Sequence, residues 1–220
     1  MTDGPPLRVV AIPSGRFDQN CYLVAALGSP EAAMVDPGED AELCLRRAEE
    51  EALTVRAIWL THGHLDHLLG IPTVHARTGA PIHLHPADRP FYDRLEQQAE
   101  FFGVKLAAPL PPATHELSHG QELTAGPARL RVLHTPGHSY GSVCFLGPGL
   151  VLVGDVLLRG TLGRADLPGG SHSRLQESVR QELYSLPDET LVYCGHGPMT
   201  TIGAEKKSNP TLKIAGQPPA

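Results

Sequence analysis

The stretch Thr61-His62-Gly63-His64-Leu65-Asp66-His67 constrains this chain more than any other. It follows an apolar run, Val55 to Leu60, that reads as a buried strand, and precedes a helical pattern from Leu68 to Thr78. In extended backbone, residues two apart point the same way, so His62 and His64 can face one ion. Asp66 and His67 are expected in the first turn of the following helix. There free N–H groups and the helix dipole favour a carboxylate, and the chain has turned toward a second position. A fold that accommodates this segment has to bring a strand end and a helix start to a common cleft.

Three further positions repeat the pattern of a strand followed by a Gly-bearing turn: His138 in Thr135-Pro136-Gly137-His138-Ser139, Asp155 in Val153-Gly154-Asp155, and His196 in Gly195-His196-Gly197. Strand-end loops are where α/β enzymes gather their sites. Seven candidate ligands result: His62, His64, Asp66, His67, His138, Asp155 and His196. Imidazoles and carboxylates without thiolates suit two divalent metal ions, zinc first and iron or manganese as alternatives, and a carboxylate such as Asp155 can be shared. His134, just before the 135–139 turn, reads equally as a partner that orients a ligand and as a structural residue. His75, His83, His85, His115, His119 and His172 lack a constellation and read as structural or solvated. Arg159, Arg164, Lys206 and Lys207 are candidates for guiding an anionic substrate, against the commoner role of solvated surface charge.

The rest of the chain supplies the scaffold. Leu7–Ile12, Cys21–Ala26 and Ala32–Val35 alternate with turn residues and predict a three-stranded antiparallel meander. Asp40 is expected to cap a helix to Leu53, with pairs Glu42/Arg46 and Arg47/Glu51 and an inward stripe of Leu43, Ala48 and Ala52. Pro81–His85, Arg129–Leu133, Val143–Leu146, Val151–Val153 and Leu191–Tyr193 read as strands. Ala87–Phe102 and Ser173–Leu186 read as helices, Lys105–Pro112 as a loop, and the tail from Gln217 as frayed. Meander first and alternating strands and helices afterwards predict an α/β layered architecture, and 220 residues predict a single domain over 1–220.

A net charge of −6 without any Lys/Arg cluster beyond a pair disfavours nucleic acid as a partner. No run approaches the ~20 apolar residues of a spanning helix, so no membrane is expected. Met1–Pro6 shows no basic flank leading into an apolar run, so no signal peptide is expected either. The four cysteines, Cys21, Cys44, Cys144 and Cys194, are widely spaced and read as reduced, buried thiols, which makes the cytoplasm the default location.

The whole series, from Asn20-Cys21-Tyr22-Leu23-Val24 and Val35-Asp36-Pro37-Gly38 to Gly195-His196-Gly197, resembles the metallo-β-lactamase fold superfamily. That resemblance implies an αββα sandwich with two metals at one edge of the sheets. It implies His62, His64 and His138 on the first metal and Asp66, His67 and His196 on the second, with Asp155 and a hydroxide bridging them. Common zinc β-lactamases carry Cys at the position of Asp155, and diiron flavoproteins carry Glu at that of His64, which turns the reading away from both. RNA-processing members use an added RNA-gripping arm, and no basic inserted hairpin is evident here. Gly163-Arg164-Ala165-Asp166-Leu167-Pro168-Gly169-Gly170 and Glu205-Lys206-Lys207-Ser208-Asn209-Pro210 are similar to glyoxalase II-like hydrolases. Glyoxalase II proper has a helical C-terminal domain that supplies much of its glutathione site. This sequence ends 24 residues after His196 and resembles the short single-domain relatives.

The expected activity is therefore metal-dependent hydrolysis of small-molecule thioesters, S-lactoylglutathione or related acyl thioesters, with Asp66 and Asp155 as the catalytic carboxylates. Two metals ~3.5–4 Å apart would lower the pKa of a shared water toward ~7. A thiolate, with a conjugate pKa of ~8.5, leaves without much help from an acid. The rival is the mononuclear iron persulfide dioxygenase of the same fold, with its ion on positions matching His62, His138 and Asp155. Those enzymes show Asp-Phe-Gln where this chain has Asp166-Leu167-Pro168.

Overall fold

The computed structural model describes residues 4–212, and the tail expected to fray lies outside them. The first sheet is built from β1 (Leu7–Ser14), β2 (Gln19–Ala26), β3 (Glu31–Val35), β4 (Thr54–Trp59), β5 (Ile82–Leu84) and β6 (His115–Glu116), in that spatial order. β1 to β3 form the expected antiparallel meander, and β3 to β6 run parallel. α1 (Ala41–Glu50), α2 (Ile71–Thr78), α3 (Arg89–Tyr92) and α4 (Leu95–Phe102) belong to this half of the chain.

The second half gives β7 (Glu122–Ala125), β8 (Ala128–His134), β9 (Val143–Gly147), β10 (Leu150–Gly154), the small hairpin β11 (Leu157–Leu158) and β12 (Thr161–Leu162), α5 (His172–Ser178), β13 (Leu191–Cys194), β14 (Thr200–Thr201) and α6 (Ile202–Ser208). Its sheet has the order β14-β13-β10-β9-β8-β7, with only β10 and β13 parallel.

Three apolar clusters define the layers. One sets Cys21, Leu23, Met34 and Ile58 of the first sheet against Cys44, Leu45, Ile71, Val74 and Leu95 of its helices. The second joins Tyr22, Val24, Val35 and Trp59 to Val132, Phe145 and Leu152 between the sheets. The third sets Cys144, Val151, Val153 and Val192 against Leu175, Val179 and Ile202. The result is an αββα sandwich. Strand β2 contributes alternate side chains to the first two clusters and is buried at every position, as a near-continuous apolar strand covered on both faces should be. All four cysteines are buried free thiols.

Several local expectations are corrected. Asp40 precedes α1, but its carboxylate accepts from Gly15 N (2.8 Å) instead of capping the helix. The helix ends at Glu50, and Ala52 adopts φ 53° so that Leu53 N reaches Ala48 O and the chain enters β4. The buried face is accordingly Ala41, Cys44, Leu45 and Ala48, with Ala52 exposed. Glu42 lies 3.5 Å from Arg77 of α2, while Arg47 and Glu51 pair at 3.1 Å as expected. The helix expected over Ala87–Phe102 breaks into α3 and α4, because Gln98 of α4 folds back to donate to Phe91 O (2.9 Å) at the break. The helix expected over Ser173–Leu186 continues beyond α5 as a single π turn, Val179–Leu183. β6, β7, β14 and α6 were not anticipated.

Candidate metal centre

Where β4 ends, the chain does not pass straight into a helix. Leu65–His67 form an isolated 3-10 turn and α2 begins only at Ile71, so the expected help of a helix dipole for Asp66 is replaced by side chains. Asp66 Oδ2 lies 3.0 Å from His196 Nε2 and 3.6 Å from His67 Nε2.

All seven candidate residues meet at one edge of the sandwich. His62, His64 and His138 bring ring nitrogens into one group, and Asp66, His67 and His196 form another. His138 Nε2 lies 3.2 Å from His62 Nε2 and 2.9 Å from His64 Nδ1. Asp155 stands between the groups, with Oδ1 3.6 Å from His67 Nε2 and Oδ2 3.7 Å from His138 Nε2 and 3.5 Å from His196 Nε2. Its Oδ1 and His67 Nε2 are buried without a hydrogen-bond partner among the described residues. Lone pairs converging from several neutral imidazoles repel unless a cation lies among them, and orphaned buried polar atoms are costly. Donor chemistry and geometry both fit divalent metal.

The opposite nitrogen of each imidazole except His64's is held from behind. His62 Nδ1 meets Thr61 Oγ1 (3.0 Å), His67 Nδ1 meets Asp36 Oδ2 (3.0 Å), His138 Nδ1 meets Arg164 O (2.7 Å) and His196 Nδ1 meets Phe17 O (3.0 Å). These partners place the proton on Nδ1 and leave Nε2 as donor toward the cluster. Asp36 also accepts from Thr61 N (2.7 Å) and Thr61 Oγ1 (2.6 Å), contacts that hold it at φ 49°. Asp88 binds Gly63 N (2.8 Å), Ser139 Oγ (2.6 Å) and Gly141 N (2.6 Å), tying the His62–His64 loop to the His138 loop. The start of β2 is sewn to the His196 loop: Asn20 Nδ2 donates to Cys194 O (3.0 Å) and Gly197 O (2.8 Å). Gly195 is required beside it, since any Cβ there would collide with Asp155 Oδ1.

Electrostatics divide the site. Burial, reinforced by the neighbouring imidazoles, drives His62 well below its ordinary value, and burial with His138 lowers His64 to about 3. Burial opposes the charge of His67 too, but Asp66, Asp36 and Asp155 outweigh it and raise that residue to about 10. Asp66 is held well below the carboxylate range against its own burial by His67 and His196. His62 and His64 are thus neutral nitrogen donors on one side, and the other side is a carboxylate-rich pocket that demands positive charge.

A cavity of about 350 Å³ opens over the cluster, lined by His64, Asp66, His138, Asp155 and His196 and walled by Phe17, Phe102, Leu158, Arg164 and Leu167. Of the four proposed guiding cations only Arg164 reaches it, and its guanidinium is paired with Asp166 (2.8 and 3.0 Å). Arg159 lines a separate surface groove, and Lys206 binds Asp188 (2.7 Å). His134 touches no candidate ligand. It stacks on His85 (centroids 4.1 Å, 12°) and meets Tyr140 O (3.0 Å), propping the loop that carries His138. His75 and His172 make local contacts, to Ala80 O and Gln176, and His83 packs on His115. Sequence reasoning assigned no role to Asp36, Asp88 or Gln98. Asp36 had a signal, an Asp-Pro-Gly turn directly after a strand, whereas Asp88 and Gln98 had none.

The family model for the metallo-beta-lactamase superfamily matches residues 14–196. The chain belongs to that superfamily. It is 35% identical to the hydroxyacylglutathione hydrolase GloC of Haemophilus influenzae over 94% of this chain and 98% of that protein. Among solved structures it is similar to BLEG-1, described as a B3 metallo-beta-lactamase, with TM-score 0.86 and 37% identity over 94% of this chain and 100% of that one. It is also similar to TTHA1623 in a di-iron-bound form, with TM-score 0.83 and 36% identity over 92% and 100%. Members of this metallo-hydrolase family bind divalent metals and act on small molecules. No described helix is long and apolar enough to cross a membrane.

Proposed function

We propose that this superfamily member is a binuclear, metal-dependent thioester hydrolase acting on S-lactoylglutathione or related small acyl thioesters. In this reading residues 1–220 form one domain without a separate glutathione-binding domain, His62, His64 and His138 hold one ion, and Asp66, His67 and His196 hold the other. The observation that carries it is Asp155, one carboxylate facing both groups with a buried oxygen that nothing among the described residues satisfies. Zinc is the expected metal, and the di-iron form of TTHA1623 keeps iron as the alternative. Free buried thiols favour a reducing compartment, the cytoplasm.

When bound, such ions would lower the pKa of a coordinated water and polarise the substrate carbonyl. Asp66 faces the cavity beside His196 and is placed to orient an incoming water. The aromatic walls Phe17 and Phe102 limit water around the reacting carbon. Among the described residues the one titratable group in the lining apart from the proposed ligands is Arg164, which is ion-paired and does not surrender its proton. This lining suits a leaving group that departs unprotonated, as a thiolate does, and suits a lactam nitrogen poorly. The GloC resemblance points the same way, and the BLEG-1 resemblance makes a β-lactam the substrate to test against it.

The test is one metal-analysed preparation assayed on lactoylglutathione, a short acyl thioester, a β-lactam, and glutathione persulfide with oxygen uptake. Two metals per chain with thioester cleavage is expected. One iron with oxygen consumption and no thioester cleavage would establish the dioxygenase, and preferential lactam cleavage would make this a lactamase.

A further inference from the structure

The cavity over the metal cluster continues past the ligands. It shares His64, Gln98, Phe102 and Leu167 with a second, open hollow of about 290 Å³ between α4 and the Leu167-Pro168 turn, which adds Phe91, Phe101 and Arg94 to its walls. The extension is rigidly built. Gln98 of α4 donates to Gly63 O (3.0 Å) and accepts from Leu65 N (3.0 Å), so the helix that forms one wall is bolted to the loop that carries His64. Phe91 packs on the His64 ring (5.6 Å) and is stacked with Tyr140 (6.2 Å, 10°). Phe17, Phe102 and Phe101 follow one another edge to face at 6.4 and 5.0 Å, an aromatic wall running from the metal cavity into the extension.

Phe101 is 79% exposed and Phe102 43% exposed, so this surface contributes little to the core and leaves apolar area facing water at the mouth of the site. Its cation is also available. Arg164 is engaged with Asp166, whereas Arg94 enters none of the ion pairs among the described residues. An aromatic trough, continuous with the reacting centre and bearing one free guanidinium, matches a small molecule that is apolar along its length and negative at its end.

We infer that the extension is the specificity subsite for an apolar arm of the substrate that ends in an anionic group. The arm lies along Phe101, Phe102 and Leu167, and its negative end meets Arg94. The substrate class is then an acyl thioester with a short hydrocarbon chain or ring tipped by a carboxylate. The inference rests on the thioesterase reading for the reaction and on the trough alone for the binding.

The experiment uses the metal-loaded protein and two thioester series, one lengthened on the acyl side and one on the thiol side, each with and without a terminal carboxylate. On the arm that occupies the trough, kcat/KM rises roughly twofold to fourfold per added methylene until the trough is filled. The terminal carboxylate adds roughly a further twofold to fivefold at low salt. Phe101→Ala flattens the dependence on length and leaves cleavage of the shortest ester unchanged. Arg94→Gln removes only the carboxylate gain, and Arg94→Lys restores part of it. A non-hydrolysable thioether carrying the longest carboxylate-tipped arm of either series binds wild type, with or without metal, and binds Phe101→Ala at least fivefold more weakly by calorimetry. Flat series in both directions with the short ester still cleaved overturn the subsite and spare the hydrolase. Failure to cleave any thioester overturns the hydrolase, and thioether binding then decides the subsite alone. Sedimentation showing a dimer that shields Phe101 assigns the trough to a second copy of the chain and overturns the inference.

Discussion

Asp36 offers the sharpest test of how the centre is held, because it is proposed to bind no metal itself. Its carboxylate is 2% exposed and accepts three hydrogen bonds, from Thr61 N (2.7 Å), Thr61 Oγ1 (2.6 Å) and His67 Nδ1 (3.0 Å). Asp36→Asn keeps the shape and replaces one acceptor oxygen by a donor. If the amide nitrogen faces His67, the imidazole proton moves to Nε2, the nitrogen aimed at Asp66 and Asp155. If it faces Thr61 N instead, two donors are opposed in a buried site, which costs about 1–3 kcal/mol of stability. The first arrangement weakens the His67 site by the ~10–100-fold typical of a lost orienting partner, about 1.4–2.7 kcal/mol. Competition against a chromophoric chelator resolves the two sites. Expected is a selective loss at the site of Asp66, His67 and His196, with the site of His62, His64 and His138 within about threefold of wild type. Two unchanged affinities in a variant that melts like wild type would refute the role assigned to Asp36.

Two further outcomes follow from the same geometry. Chelation should lower the melting temperature of the wild-type protein as well as stop turnover, because ions that bind only the folded state stabilise it by mass action; an unchanged melting curve after verified metal removal would contradict a centre that joins loops from both sheets. Burial, with His115 beside one and His134 beside the other, lowers His83 and His85 to about 4 each. Their folded values lie below the unfolded ~6.5, so the unfolded chain binds more protons between those limits and stability falls as pH drops from about 6.5 to about 4. Urea midpoints of metal-free protein across that window should fall less steeply in a His83→Gln/His85→Gln double variant, and parallel pH curves would argue against the assignment.

The layered fold was legible because its long strands carry their burial in their composition. Val143–Gly147 and Leu150–Gly154 are apolar at nearly every position and are buried at every position. What escaped were elements defined by partners alone. Strand β6 is two exposed residues whose only credential is pairing of His83 with His115 and Leu84 with Glu116, and β14 exists because Thr200 and Thr201 lie against Val192 and Leu191. The break between α3 and α4 is likewise tertiary: Tyr92 turns inward so that its hydroxyl donates to Pro111 O (2.7 Å), and Gln98 draws α4 onto the His64 loop. No periodicity encodes either contact.

The candidate ligands were readable for a different reason. Each lies in a short turn after a strand, and the sheet topology carries those turns to one edge: β4 delivers Thr61 to His67, β8 delivers His138, β10 delivers Asp155, and β13, parallel to β10, delivers His196. A histidine with glycine beside it at such a turn is locally unusual, so residue type and position reinforce each other. The residues that aim those ligands carry no such mark. Asp88 sits 22 positions before Leu110 and 50 before His138 in a stretch that reads as ordinary helix start, yet its three hydrogen bonds hold two metal loops together. Arg164 and Phe17 act through backbone carbonyls, for which the side chain is irrelevant. A sequence therefore displays the groups that meet a metal more openly than the groups that orient them, because ligand chemistry needs particular side chains, whereas orientation needs only an acceptor in the right place.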